Sequence, residues 1–210
     1  MASDPEIQIK QPRTKRGQAT LRKLLDAATA EFGEHGFHDA SISSITSRAG
    51  VALGTFYTYF QSKDALFRAL IFDLSGQIRA DASAAIAGET EPLTIERLAL
   101  TAFLEFASEH KEIYRIIDEA EFVDPEMYRY HYTTIAGRIA QRLSDGSKND
   151  TLRPDIGEIE AWAIMGMNVF LGLRFAVWRG EGDAKLDDVS RKANELLERG
   201  LSSDPTGLAR

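Results

Sequence analysis

The sequence predicts an all-α fold, with an N-terminal three-helix helix-turn-helix module followed by a larger helical domain. Three observations carry this. Apolar residues recur at helical spacing along nearly the whole chain, and short loops marked by glycine, proline and capping residues separate the runs. No stretch alternates apolar and polar residues as a half-buried strand does. The 210 residues suffice for a core without covalent staples, and the absence of cysteine excludes disulfides, thiolate metal sites and cysteine nucleophiles.

The elements follow in order. Leu21, Leu24, Leu25, Ala28 and Phe32 form one apolar stripe, so a first helix is expected with Thr20 as its cap and Gly36 as a left-handed stop. Ser41 caps a short helix over about 42–48, which Ala49-Gly50-Val51 breaks, and a second short helix runs over about 52–58. Ser62 caps a longer helix through Leu66, Leu70 and Leu74. Gly88 to Pro92 reads as a loop, with Pro92 suited to a first helical turn. Apolar runs at 93–107 and 113–122 predict two more helices. Asp124-Pro125 opens another, to about Leu143, and 146–154 is the most loop-like interior stretch. Helices at about 156–179 and 187–200 finish the chain.

Charge is unevenly distributed. Residues 1–60 hold seven basic and six acidic side chains, whereas the remaining 150 hold 18 and 26, within a net charge of −7. Lys10, Arg13, Lys15, Arg16, Arg22 and Lys23 follow one another with no acid between them. Such a block serves nucleic-acid phosphates or is simply a solvated terminus. If DNA is the partner, only one end of the molecule touches it.

Between Ser41 and Phe60, two helices of roughly two turns joined at Gly50 make a helix-turn-helix. Ile42, Ile45, Ala49, Val51, Phe56 and Phe60 supply inner faces. Leu53, Gly54, Thr55, Tyr57, Thr58 and Tyr59 remain for the outside: small, hydroxylated and aromatic groups with no acid among them, as a major groove would accept. The same turn occurs in helical hairpins with no DNA partner, and simple packing is the alternative for Tyr57 and Tyr59.

Residues about 20–70 resemble the N-terminal module of the TetR family of transcriptional repressors. The resemblance rests on Ala28-x-x-x-Phe32-x-x-x-Gly36-Phe37, Ser41-Ile42-x-x-Ile45, Arg48-Ala49-Gly50-Val51, Gly54-Thr55-Phe56-Tyr57-x-Tyr59-Phe60 and Ser62-Lys63-Asp64-x-Leu66. It implies that the Gly54 amide and the hydroxyls of Thr55, Tyr57 and Tyr59 approach DNA, that Lys63 pairs with a phosphate, and that Ser41 and Ser43 donate to the backbone. Two residues depart from the family's pattern. Ala52 stands where a capping serine or threonine is usual, and Leu53, at a place often polar, is expected to offer an apolar contact to a thymine methyl.

The implied organisation is a flexible basic arm at 1–19, a DNA-binding domain at 20–66 and a ligand-binding and dimerisation domain at 67–205. A two-turn helix reads too few base pairs alone, so a homodimer on a pseudo-palindromic double-stranded operator is expected. Leu186, Val189, Ala193, Leu196, Leu197 and Leu201, with Ala163, Gly166, Val169 and Phe170, are the candidate dimer surface, intramolecular packing being the alternative. Aromatic and methionine residues are plentiful after residue 100. Phe103, Phe106, Tyr114, Met127 and Tyr130, then Trp162, Met165 and Phe170, with Arg174 or Arg138 for an acid group, are candidates for an effector site. Each is also an ordinary core residue type. The expected effector is apolar or aromatic, with an acid or acyl-thioester (acyl-CoA-like) group allowed.

An enzyme finds little support. His35, His38, His110 and His131 accompany no metal, nucleophile or phosphate-loop motif, no cofactor or metal is implied, and His35 and His38 flank a helix end where a cation caps well. Asp118, Glu119, Glu121 and Asp124 read as a solvated acidic face. A helical protein-binding adaptor, or an activator using the same DNA-binding module, remains the alternative to a repressor. The polar start lacks a secretory pattern, and the apolar stretch 162–173, interrupted by Asn168 and ended by Arg174, is short for a membrane span. A cytoplasmic protein with no membrane partner is therefore expected.

Overall fold

A computed structural model describes residues 12–202. Among them are nine α-helices: α1 (Lys15–Asp39), α2 (Ile42–Ala49), α3 (Leu53–Tyr59), α4 (Lys63–Ala85), α5 (Pro92–Glu109), α6 (Glu112–Val123), α7 (Pro125–Lys148), α8 (Glu158–Gly172) and α9 (Leu186–Leu201). A π-helical turn, Leu173–Val177, extends α8. The only extended pairing among the described residues is an isolated bridge between Leu152 and Ser202. The described chain divides into two compact units, one of residues 12–76 and 111–131, the other of 77–110 and 132–202. The helices α4 and α7 contribute to both.

The first unit packs α1, α2, α3, the start of α4, α6 and the start of α7. Its centre is aromatic: Phe32 meets Phe67 edge-on at 5.3 Å and Phe37 meets Phe67 at 4.9 Å, with Phe56 and Phe60 buried beside each other at 5.7 Å. Rings in such geometry gain about 0.5–1.5 kcal/mol beyond their area.

The first helix differs from expectation at both ends. It begins at Lys15, capped by the Thr14 hydroxyl, which accepts from the Gly17 amide at 3.1 Å; Thr20 instead donates to the Arg16 carbonyl. The polar residues 15–19 are therefore helical, and the Tyr59 hydroxyl, donating to the Gly17 carbonyl at 3.2 Å, ties that turn to α3. Gly36 has φ 81° and ψ 168°, a break with positive φ but not a left-handed cap, and one more turn follows to Asp39. The broken turn is gripped from α6. Arg115 donates to the carbonyls of Gly33 and Glu34, and Glu119 accepts from the Phe37 amide at 2.6 Å. The positive φ favours glycine at 36, and a Cβ there would also lie 2.5 Å from the Glu119 carboxylate and 2.7 Å from the Arg115 guanidinium, displacing both from these contacts.

Glu119 is thus a structural acceptor, and Asp124 pairs with both ends of the Arg68 guanidinium at 2.8 and 3.0 Å. The acidic face expected to be solvated is half occupied by such contacts.

The second unit packs α5 against α8, α9 and the π-turn. Leu100, Leu104, Val189 and Ala193 form one buried cluster, and Ala136, Ile139, Leu143, Leu152, Ala161, Ile164, Met165 and Leu201 another. A bidentate pair from Arg142 to the buried Glu96, at 2.6 and 2.8 Å, joins α7 to α5. The single helix expected over 156–179 is two pieces, α8 and the wider π-turn. Together they give a 20-residue stretch of mean hydropathy 1.2, long and apolar enough by length and composition to cross a membrane, and longer than the sequence reading allowed.

Candidate nucleic-acid interface and ligand pocket

The helix-turn-helix is built from local signals. Ser41 caps α2 by accepting from the Ser44 amide at 2.9 Å, and the Ser44 hydroxyl returns a bond from the Ser41 amide at 3.1 Å. Gly50 closes α2 in the left-handed conformation, with φ 66° and ψ 36°. Ala52 precedes α3 with no side-chain cap, so its first amides have no protein side chain on them. Ion pairs orient α2 on α1: Arg48 meets Glu31 at 2.7 Å and Glu34 at 2.6 Å. The Ser44 hydroxyl and then Arg48 hold the Glu31 carboxyl below the usual range, and Arg48 does the same for Glu34.

With Phe56 fully buried, α3 turns its other side outward. Leu53 is 51% exposed, Tyr57 is 57% exposed, and Gly54 and Thr58 are exposed too. A Cβ on Gly54 would meet nothing within 4 Å, so its backbone faces open space. Ser41 and Ser43 are exposed at the start of α2, and no acidic residue lies between Asp39 and Asp64. Thr55 and Tyr59 are half-buried, Tyr59 with its hydroxyl on Gly17.

Lys63 departs most from its expected part. Its ammonium donates to the carbonyls of Phe37, His38 and Ala40 at 2.6, 3.2 and 2.8 Å and sits 4.4 Å from the centre of the Phe37 ring. Three donors on three carbonyls leave none for a phosphate. The lysine instead binds the α1–α2 connection to the start of α4.

In the second unit, a cavity of about 100 Å³ lies among α4, α5, α7 and α8. Phe103 and Met165, from the sequence-predicted set, line it, and so does Arg138. The others are elsewhere. Phe106 is buried against His110, with ring centres 4.5 Å apart. Tyr114, Met127 and Tyr130 belong to the first unit, where Met127 is fully buried and Tyr130 stacks on Phe72. Trp162 and Phe170 stand 40% and 71% exposed. Arg174 pins a turn: it holds Asp183 bidentately at 2.8 Å while Asp183 also accepts from the Gly180 amide, and these bonds drive the Asp183 carboxyl far below the usual range.

Sequence reasoning missed the α4 wall of the cavity, Ile78, Ala82 and Ile86, and Arg79 at its edge. The spacing of four between Ile78, Ala82 and Ile86 was the available signal.

The candidate dimer strip also divides differently. Val189, Ala193 and Leu201 are buried within the chain, and only Leu196 of that strip is strongly exposed. On α8, by contrast, Ile159, Trp162, Ala163 and Phe170 are exposed along one face, and Gly166 has nothing within 4 Å of an added Cβ.

A short helix whose uncharged side is exposed after a left-handed glycine turn has the geometry of a helix-turn-helix module. Residues 24–70 match the family of bacterial regulatory proteins of the tetR type. The chain is 35% identical over 123 residues to the uncharacterized regulator YdgC of Bacillus subtilis, covering 53% of this chain and 57% of that protein. It is 28% identical to the HTH-type transcriptional regulator UidR of Escherichia coli over 84% of this chain and 87% of UidR. Among solved structures, a TetR-like regulator from Rhodococcus sp. RHA1 superposes with a TM-score of 0.69 at 25% identity, over 91% of this chain and 98% of that one. AibR, solved with isovaleryl coenzyme A and operator DNA, shares the fold at 15% identity, with a TM-score of 0.69 over 84% and 97% of the two chains. Residues 24–70 thus carry the N-terminal DNA-binding module of the TetR family, and over most of its length the chain is similar to transcriptional regulators of that type.

Proposed function

We propose that this protein is a ligand-responsive repressor that binds a pseudo-palindromic operator as a homodimer, in the cytoplasm, and leaves it when a small apolar effector enters the second unit. The observation that carries the DNA contact is the exposed side of α3, formed by Leu53, Gly54, Tyr57 and Thr58 with no carboxylate near it in sequence. In that reading Ser41, Ser43 and Thr55 add contacts to the DNA backbone, and Arg13, Lys15 and Arg16 add salt-dependent affinity; Lys10 lies outside the described residues.

The exposed face of α8, with Leu196 of α9, supports the dimer. A soluble chain seldom leaves Ile159, 82% exposed, in line with Trp162 and Phe170. The open space at Gly166 lets a second helix approach closely. A two-fold pair would place two α3 helices about 34–36 Å apart, or a multiple of that.

The cavity supports the effector. It is lined mainly by aliphatic side chains with Phe103 and Met165, and AibR, of the same fold, is known with isovaleryl coenzyme A. The helix α4 runs unbroken from Lys63, in the DNA-binding unit, to the cavity wall at Ala82. A tilt of it on ligand binding is the coupling proposed. Releasing an operator by 100- to 1,000-fold needs about 3–4 kcal/mol of differential binding.

The test is to sequence the duplexes retained by the purified protein from a random pool, alongside sedimentation of the free protein. A two-fold symmetric motif, a dimer and reporter repression support the reading. A monomer with no sequence preference points to a protein-binding adaptor, and increased reporter expression to an activator.

A further inference from the structure

Tyr59, the last residue of α3, lies against the start of α1. Its hydroxyl donates to the Gly17 carbonyl at 3.2 Å, across 42 positions of sequence. A phenol has one proton to give, and a phosphodiester oxygen only accepts, so a hydroxyl spent on Gly17 has nothing to offer a phosphate. The same turn is packed from ahead of the helix. A Cβ at position 17 would lie 2.7 Å from the Pro12 Cβ, 3.2 Å from the Thr14 hydroxyl and 3.6 Å from the Tyr59 hydroxyl. Pro12, Thr14 and Tyr59 therefore converge on one glycine.

The residues held by that convergence are basic. Arg13, Lys15 and Arg16 are exposed, and none of the three makes an ion pair among the described residues. The first turn of α1 carries no acid. Cations at the positive end of a helix weaken that end, because they face its unpaired amides. By its own charges this turn tends to fray, and the Tyr59 bond ties it from outside the helix.

We propose that Tyr59 is a positioning residue for DNA binding and not a phosphate ligand: its hydroxyl holds the first turn of α1 against α3, so that Arg13, Lys15 and Arg16 meet the DNA backbone as one ordered group. The proposal rests on the DNA-binding reading above and changes the part that one residue plays in it. Charges ordered before the encounter lose less entropy on binding than those of a loose tail. The basic segment from Pro12 onward is then placed by the reading helix itself.

The experiment measures binding of the duplex selected from the random pool, as a function of salt. The chains compared are the natural protein, Tyr59→Phe, Gly17→Ala, and the triple variant Arg13→Gln, Lys15→Gln, Arg16→Gln with and without Tyr59→Phe. Each phosphate no longer neutralised makes the logarithmic salt slope shallower by about one. Tyr59→Phe is expected to remove at least that much for each protomer, although the group it deletes is uncharged. Gly17→Ala, which pushes Pro12 off the turn, should act in the same direction. In the triple variant Tyr59→Phe should cost nothing further, since no charges remain to be placed. In the free protein the Gln18 amide, bonded to the Thr14 carbonyl at 2.9 Å, should exchange about fivefold faster in Tyr59→Phe. Weaker binding at an unchanged slope, or an equal loss in the triple variant, makes Tyr59 a direct contact and overturns the proposal. Faster exchange with binding untouched leaves the bond purely structural and overturns it as well, as does a Tyr59→Phe chain that behaves like the natural one throughout. Failure of the natural protein to hold any duplex sinks the DNA-binding reading itself, and no result on the variants resembles it.

Discussion

The two units place most of their aromatic residues differently. In the DNA-binding unit most phenylalanines are inside: Phe32, Phe56, Phe60 and Phe67 are fully buried, while Tyr57 on α3 and Phe122 on α6 are exposed. In the other unit, Trp162, Phe170 and Trp178 stand out in solvent while aliphatic residues fill the clusters. The first unit buries its core within one chain, and the outer side of α3 carries no charge. The second leaves an apolar surface uncovered, which is the condition expected of a chain that binds its own copy. On the proposed reading an exposed ring would meet DNA in one place and protein in the other.

The sharpest way to break this contrast is to shorten one ring in each unit. Phe67→Ala should destabilise the protein by about 3–5 kcal/mol in urea unfolding, as large-to-small core changes do. Phe170→Ala should change the unfolding of dilute monomer by less than about 0.5 kcal/mol and weaken dimerisation measured by sedimentation. Equal unfolding losses from both would erase the distinction. Next in size, Lys63→Met removes three charge-assisted bonds to carbonyls and should lower stability by about 2 kcal/mol. The salt dependence of operator binding should not change, whereas a slope reduced by about one charge would return Lys63 to a phosphate.

A smaller effect is expected on the outer side of α3. Tyr57→Ala should weaken operator binding by about tenfold without altering the melting temperature. Leu53→Ala should change the preferred base at one position and leave the salt slope alone; unchanged affinity and preference in both variants would clear α3 of reading DNA. The smallest concerns pH. Glu31 and Glu34 are held below the usual carboxylate range on Arg48, so their stabilisation is present above about pH 4.3 and is lost as pH falls through their lower folded values. In Arg48→Met the urea midpoint should fall less between pH 7 and pH 3 than in the natural protein. An identical acid loss would show that this pair does not hold α2 to α1.

Much of the DNA-binding unit was legible because its signals are local. Ser41 caps α2, Gly50 ends it, and Phe56 and Phe60 are spaced to face inward, all within a few residues of one another. Lys63 was misread because its partners, the carbonyls of residues 37, 38 and 40, lie more than twenty positions back, and a free lysine beside a recognition helix is the simpler inference from sequence. In the second unit, Leu186 to Leu201 marked an amphipathic helix correctly. The pattern does not say whether such a stripe meets its own chain or another, and most of it proved to be internal.

What the sequence determined alone is the order of helices and the helix-turn-helix, since caps, glycine turns and 3.6-residue periodicity act over one or two turns of chain. Tertiary structure decided what covers each apolar face, where Lys63 and Arg174 spend their donors, and which four helices enclose a cavity edged by guanidiniums. Those outcomes follow from contacts between residues about 9 to 90 positions apart, where burial and charge neutralisation, not local propensity, carry the free energy.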